Sequence, residues 1–446
     1  MYLLLKFARA YPKLTILLVL YLVSTAYFLS KKGLIDDQNQ QSHGRARSLF
    51  NKLHVEIPLL YKGRSSDTQA LPLYEPPSRT FQVPPFNVPY VLTHVWIPRE
   101  LKLIVFVQGI EIKRSITHCV VGNQPLRRVL QQNYVYECLF QSDEEAQSLD
   151  GQFVTLETRH RGLLPTKTKF RYRPNTSQPL EKKYYLCAAT QILNQSLYLE
   201  DWLVYHKKLG IEYFFLYDND SKDNTTSIAQ SPTVNTYVQM LYWPWIDSQP
   251  QAFVHAKVLA DTQCDWTLFF DVDEYVFVKK CLALNCLSKL LRRYYDKKLA
   301  QICFKRKIFG SSGHIRRPTN GTVADNYIHR SDTQHIFEGR GKCAVKTSNA
   351  KLHTTIYEFL IQREYYSMTL QPSVALINHY KLKSWEDFME KYSNRKNTSD
   401  WVIPANFSVD NPPLGWEFGH TKAYRFNLTT NDTAFKAFRL RFDKNI

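Results

Sequence analysis

YYLCAATQILNQSLYLEDWLVYHKKLGIEYFFLYDND, residues 184–220, decides the architecture of the chain. YYLCAAT is a β-prone apolar run. QSLYLEDWLVYHKKLG is an amphipathic helix closed by Gly210, and IEYFFLYDND is a second strand that ends in acids. Strand, helix and strand in this order make a βαβ unit, and so a parallel sheet whose ligands lie beyond the carboxyl ends of its strands. Asp218 and Asp220 stand at such an end.

A second acid cluster follows. WTLFFDVDEYVFV, residues 266–278, is built as a buried strand yet carries Asp271, Asp273 and Glu274 in its middle. Burying an unpaired carboxylate costs several kcal/mol, on the order of what a partner charge must offset, and a divalent cation is the simplest partner. On an extended backbone residues 271 and 273 point the same way, so both aspartates address one ligand while Val272 faces the core. Hard oxygen ligands suit Mn²⁺ or Mg²⁺, ions that bridge diphosphate oxygens. Asp273 is the expected direct ligand, Asp271 contacts ribose or a metal-bound water, and Glu274 stands behind them or pairs with a cation. GxxxxGK[ST] and GxGxxG are both absent from the sequence. Nucleotide phosphates here must therefore be held by metal and cations. That is the logic of a GT-A type nucleotide-sugar transferase.

Outward from this core, the chain is long and basic: 446 residues with a formal charge of +18 and 28 Tyr, 26 Phe and 8 Trp. Such a charge fits an anionic partner, and equally a diffusely basic surface. Leu14 to Ser30 is a run of 17 residues without a charged side chain, flanked by Lys6, Arg9 and Lys13 and by Lys31 and Lys32. It reads as an uncleaved signal anchor rather than a signal peptide, with a cytosolic tail at 1–13 and a lumenal bulk. Residues 31–80 read as a stem. Nine Asn-x-Ser/Thr sequons, at Asn175, Asn194, Asn219, Asn224, Asn320, Asn397, Asn406, Asn427 and Asn431, and eight cysteines without a paired CxxC fit a secretory compartment with two to four disulfides. A nucleic-acid partner fails on compartment. From 81 to about 175 short β-prone runs separated by turn-formers predict a small all-β module, in which Cys119 and Cys138 are placed to clip strands. Residues 182–446 then form the α/β catalytic domain.

The ordered set CAAT…YLEDWLVYHKKLGIEYFFLYDNDSKDNT, Gln251, FFDVDEY, FGSSGH at 309–314 and INHYKLKSWEDFMEKY at 377–392 resembles glycosyltransferase family 92 over most of 184 to about 402. The preceding cysteine-bearing β module looks like the accessory domain of that family. The resemblance implies a GT-A fold (Rossmann-like, mainly parallel) and an inverting, metal-dependent Golgi galactosyltransferase, single-pass type II. It implies UDP-galactose as donor and a β-galactoside or N-glycan type acceptor, of the β-1,4-galactosyltransferase or galactan synthase kind. The chain departs from the family pattern at Leu193-Asn194-Gln195, where an acid is usual, and after FGSSGH.

The roles expected on this reading are UDP-sugar contacts from Asp218, Asp220, Gln251, Asp271 and Lys381, and Mn²⁺ ligation by Asp271, Asp273 and His379. His379 follows the β-prone run VALIN and precedes the helix SWEDFMEKY, again at a strand-to-helix junction. Inversion needs a general base, for which Asp332, Glu338 and His353 are the candidates. The alternatives are a transferase for another UDP-hexose and a catalytically silent, membrane-anchored glycan-binding protein. Oligomeric state is not legible.

Overall fold

The computed structural model describes residues 76–85, 88–108, 116–132, 134–175, 182–281, 283–294, 296–330, 341–394 and 430–444. Asp67–Ile446 forms one compact unit. The signal anchor expected at 14–30, the tail before it and nearly all of the stem lie outside the described residues, as do Asp332, Glu338, Asn397, Asn406 and Asn427. No helix among the described residues is long and apolar enough to cross a membrane.

The first sheet is antiparallel throughout. Its strands are β1 (Tyr90–Ile97), β2 (Lys102–Gln108), β3 (Ile116–Val121), β4 (Gln124–Gln132), β5 (Val135–Leu139), β6 (Val154–Thr158) and β7 (Gly162–Leu163), in the order β1-β2-β5-β4-β3-β6-β7. Strand alternation divides their side chains between two cores. Val91, Val105 and Tyr136 pack inside the sheet's own core, where Trp96 meets Phe140 and Phe170 edge-on at 5.1 and 5.5 Å. Leu92, Ile104 and Phe106 instead join Trp243, Phe253 and Phe269 of the following sheet. The two sheets thus share a continuous apolar layer.

The second sheet takes β8 (Tyr184–Ile192), β9 (Tyr213–Asp218), β10 (Val238–Tyr242) and β11 (Cys264–Phe269) as its parallel half. After β12 (Glu274–Val278), the chain adds β13 (Leu299–Phe304), β14 (Arg306–Ile308), β15 (His329–Arg330), β16 (Lys342–Val345), β17 (Ala350–Thr354), β18 (Phe359–Ile361), β19 (Tyr366–Leu370), β20 (Ala375–His379) and β21 (Thr430–Asn431). The sheet order is β10-β9-β8-β11-β16-β13-β19, with β16 antiparallel to both of its neighbours. The strand order reverses between β8 and β11, the point beyond whose carboxyl ends open α/β sheets place their ligands.

All eight cysteines are paired. Cys119 in β3 is bonded to Cys138 in β5, Cys187 to Cys264 across β8 and β11, Cys281 to Cys286, and Cys303 to Cys343 between β13 and β16.

The run 266–278 is not one strand. Cys264–Phe269 belongs to the seven-stranded sheet, whereas Glu274–Val278 pairs antiparallel with β20 in a separate three-stranded sheet, β12-β20-β14. Asp271 and Asp273 occupy the turn between them, closed by Glu274 N–H donating to the Asp271 carbonyl at 3.0 Å. The apolar periodicity is equal on both sides of this turn, so the sequence gives no sign of the sheet change. The helix Ser196–Leu209 fixes the second half of the run: Trp202 Nε1 donates to the Glu274 carbonyl at 2.9 Å and Tyr205 Oη to that of Val276 at 2.6 Å. The helix ends at Gly210 with φ +106°, where a Cβ would lie 2.5 Å from Ser288 Oγ.

Candidate active site

Asp218, Tyr242 and the Asp271–Asp273 turn stand at the carboxyl ends of β9, β10 and β11, beside the point where the strand order reverses. Loops at this edge carry left-handed residues that are not glycine: Asn194, Asp220, Asp247, Ser312 and Lys383, with φ between +48° and +69°. Asn and Asp tolerate that region through local hydrogen bonds; Lys383 has no such excuse and is held there by its surroundings.

The three carboxylates of the turn are matched by three cations. Asp271 Oδ1 accepts from Gln249 Nε2 at 2.7 Å and Oδ2 from Lys342 Nζ at 2.9 Å. Asp273 Oδ2 accepts from Lys391 Nζ at 2.7 Å. Glu274, fully buried, accepts from Asp271 N–H at 2.9 Å and from Arg306 at 3.2 Å, with Lys342 Nζ 3.6 Å away. Burial alone would raise the Asp273 carboxyl, but Lys391 and His379 outweigh it and hold it well below the usual carboxylate range. Asp271 is lowered likewise, Lys342 prevailing over burial. A turn replaces the extended backbone expected at 271–273, and the two aspartates meet different protein partners. In the turn their side chains diverge, one to Gln249 and Lys342, the other to Lys391 and His379.

His379 is brought to the turn by register, for β20 places it opposite Glu274. Its Nε2 lies 3.4 Å from Asp273 Oδ1, a buried oxygen that has no hydrogen bond, and burial keeps the imidazole neutral in spite of the nearby acids. An ionised oxygen facing a neutral ring nitrogen fits a divalent cation such as Mn²⁺. Arg306 approaches the other ring nitrogen, Nδ1, at 3.4 Å. Asp271, with both oxygens engaged, does not close with this pair. Among the described residues the one cluster of three metal-ligating types within 4.8 Å of each other is Cys303, Cys343 and Glu358, and its cysteines are spent in a disulfide.

On the β9 side, Asp218 Oδ1 caps the loop by accepting from Ser221 N–H at 2.9 Å, while Oδ2 is buried without a hydrogen bond. Burial raises the Asp218 carboxyl despite that bond. Asp220 accepts from Tyr242 Oη at 3.0 Å and Lys222 Nζ at 2.7 Å. Asn219 turns away from the crevice and donates to the carbonyls of Trp243 and Trp245 at 2.8 and 2.9 Å.

Other expected contacts are displaced. Gln251 is buried and donates to the Val107 carbonyl in β2 at 3.2 Å, tying the two sheets together; Gln249, two residues earlier and on the opposite side of the same helix, reaches Asp271 instead. Lys381 offers its main-chain carbonyl to Lys391 Nζ at 3.4 Å. The buried Lys383 lies 3.6 Å over the Tyr198 ring, and burial draws it down to about 8 although Asp387 and Asp273 are near. His353 lies half-buried on β17, just before the turn whose Ile356 carbonyl accepts from Lys342 at 2.8 Å. In FGSSGH the Ser312 hydroxyl accepts from the amides of Ile328 and His329 at 2.8 and 2.9 Å, the chemistry of a structural turn. Lys342, Arg306 and Lys391 were missed because single cations in apolar or mixed runs carry no local signal; only a buried excess of acid at 271–274 demanded that some exist.

The profile of glycosyltransferase family 92 matches residues 182–409, about half of the chain. The chain belongs to glycosyltransferase family 92. Among its curated relatives are family 92 proteins of Ricinus communis, 32% identical over 238 residues, and of Oryza sativa subsp. japonica, 27% identical over 314 residues. These alignments cover 50% and 68% of this chain but 40% and 51% of the relatives, so this family 92 chain spans about half the length of the relatives it matches. Solved structures similar to it include S. aureus TarS in complex with UDP-GlcNAc, at 12% identity and TM-score 0.29 over 49% of this chain and 68% of that one. Another is glucosyl-3-phosphoglycerate synthase from Mycobacterium tuberculosis in complex with Mn²⁺ and UDP-glucose, at 13% identity and TM-score 0.22 over 37% and 57%.

Proposed function

We propose that this family 92 chain is an inverting GT-A type glycosyltransferase that moves galactose from UDP-galactose to a β-galactoside or N-glycan type acceptor. The observation that carries the reading is the pair of acid sites flanking one switch point. Asp218 Oδ2 and Asp273 Oδ1 are both buried carboxylate oxygens without a hydrogen bond, at the ends of β9 and just beyond β11. Such oxygens are costly unless a ligand uses them. Asp218 and Asp220 serve the nucleoside and Asp273 with His379 the metal. When bound, the divalent ion supplies charge neutralisation at the leaving diphosphate. Lys342 and Lys391 keep Asp271 and Asp273 ionised and add positive potential where the diphosphate charge develops. The acceptor hydroxyl would lose its proton to one of Asp332, Glu338 or His353.

Four disulfides support an oxidising compartment. With the charge-free run at 14–30 and the nine sequons, this favours a Golgi type II protein whose β module and catalytic domain face the lumen. The test is a panel of UDP-hexoses offered to the purified chain with and without Mn²⁺. Turnover confined to UDP-glucose or UDP-N-acetylglucosamine would replace the donor assignment, and no turnover of any nucleotide sugar would leave the glycan-binding alternative.

A further inference from the structure

The approach to Asp218 is made by a residue from far upstream. The strap 76–85 runs ahead of β1, outside the family profile, and is pinned at two points. Phe81 packs against Tyr90 and Trp245 at 5.9 and 5.8 Å, beneath the Lys167 ammonium at 4.8 Å. Gln108 Nε2 donates to the carbonyls of Pro84 and Pro85 at 3.0 and 3.3 Å. A turn closed by Phe81 N–H on the Ser78 carbonyl, 2.8 Å, presents Arg79 at its corner. From there the guanidinium lies 4.8 Å over the Tyr242 ring, and one terminal nitrogen is 3.7 Å from Asp218 Oδ2.

This arrangement sets a buried, hydrogen-bond-free acceptor beside a planar donor. At 3.7 Å the two form an ion pair but no hydrogen bond, so the acceptor still has capacity for a ligand. An acceptor next to a donor complements a lactam edge, in which a ring N–H adjoins a carbonyl. Uracil has that edge. Cytosine held in the same register by its ribose and phosphates would present a bare ring nitrogen to Asp218 and an amino group to Arg79, setting acceptor against acceptor and donor against donor.

We propose that Arg79 is a positioning and specificity residue of the nucleotide site: Asp218 Oδ2 accepts the ring N–H of a uracil base while Arg79 donates to its neighbouring carbonyl. The inference rests on the nucleotide-sugar reading above. It makes the strap a wall of the site, so that the segment matched by the family profile holds an incomplete nucleotide pocket.

Calorimetric titration of the full-length chain with UDP and with CDP, for the wild type, Arg79→Ala and Arg79→Lys, tests it. The wild type binds UDP more tightly than CDP. Arg79→Ala weakens UDP binding about tenfold, as loss of one charge-assisted hydrogen bond does, and leaves CDP nearly unchanged. Arg79→Lys recovers part of the loss, and the thermal midpoint stays within a degree or two because the guanidinium is 41% exposed. If the strap only braces the fold, Arg79→Ala lowers the midpoint and keeps the UDP to CDP ratio, and the proposal is overturned. A wild type that binds UDP with an Arg79→Ala variant that binds it equally well also overturns it, leaving the transferase reading intact. A wild type that binds no uridine nucleotide overturns that reading, and the role of Arg79 with it.

Discussion

Lys391 Nζ lies 2.7 Å from Asp273 Oδ2 across a sequence separation of 118 residues. The helix Trp385–Asn394 thus returns a cation to the turn that leaves β11. The pairing leaves Asp273 Oδ1 unbonded and ionised, the state in which it can hold a ligand. Asp273→Ala is expected to leave the chain folded while lowering turnover by roughly a hundredfold or more, since a principal electrostatic element is removed. Thermal midpoint and initial rates measured side by side check this; full activity with an unchanged midpoint contradicts the role.

Lys342 is fully buried and faces both Asp271 and Glu274. Lys342→Met leaves Glu274 with Arg306 and Asp271 with the neutral Gln249, and removing one partner of a buried ion network costs about 3–5 kcal/mol. Urea denaturation of the variant should show a loss of that order. Lys391 is partly exposed, and Lys391→Met should cost distinctly less.

Three imidazoles far from solvent set the acid side of the stability profile. Burial takes His94 down to about 4, and His206 and His255 to about 3. Each binds its proton more weakly folded than unfolded, where the value is near 6.5. The unfolded chain therefore gains protons first on acidification, and stability falls as pH drops below about 6.5, the decline continuing to about pH 3–4. Denaturant midpoints at pH 7, 6 and 5 should decrease in that order, whereas a flat profile would mean that water or anions reach these rings.

His379 offers a separate check of the metal. His379→Ala is expected to weaken activation by Mn²⁺, with partial recovery at high Mn²⁺. Unchanged metal dependence with lower thermal stability would reassign His379 to the core, paired with Asp273 and Arg306.

Asn219 carries a sequon, yet its amide is committed to the Trp243 and Trp245 carbonyls. Glycopeptide mapping should find it unmodified in a chain that carries several other glycans. A glycan there would show that the β9 loop opens away from its crevice.

Much of this was legible in the sequence. The βαβ unit at 184–220 identified the parallel half of the sheet because amphipathic and apolar periods alternate cleanly there, and acids at strand ends pointed to Asp218 and Asp273. The seam inside WTLFFDVDEYVFV was not legible, since both sides of the turn are equally apolar and only pairing with β20 moves Glu274–Val278 to another sheet. Gln249 and Gln251 share one helix and differ in which sheet they meet, a matter of helix rotation. The cations on the acids come from β16, β14 and a late helix, contacts of long sequence separation that no local pattern encodes.

Transfer of a sugar from a uridine nucleotide is proposed for the site beyond the carboxyl ends of β8 and β11. Release of UDP from UDP-galactose by the full-length chain, followed with a galactoside-terminated N-glycan acceptor and Mn²⁺ present, tests it most directly. Acceptor-dependent UDP release, suppressed at least about a hundredfold by Asp273→Ala, is expected. Acceptor-dependent release that proceeds undiminished in Asp273→Ala, or no release from any UDP-hexose, would contradict it.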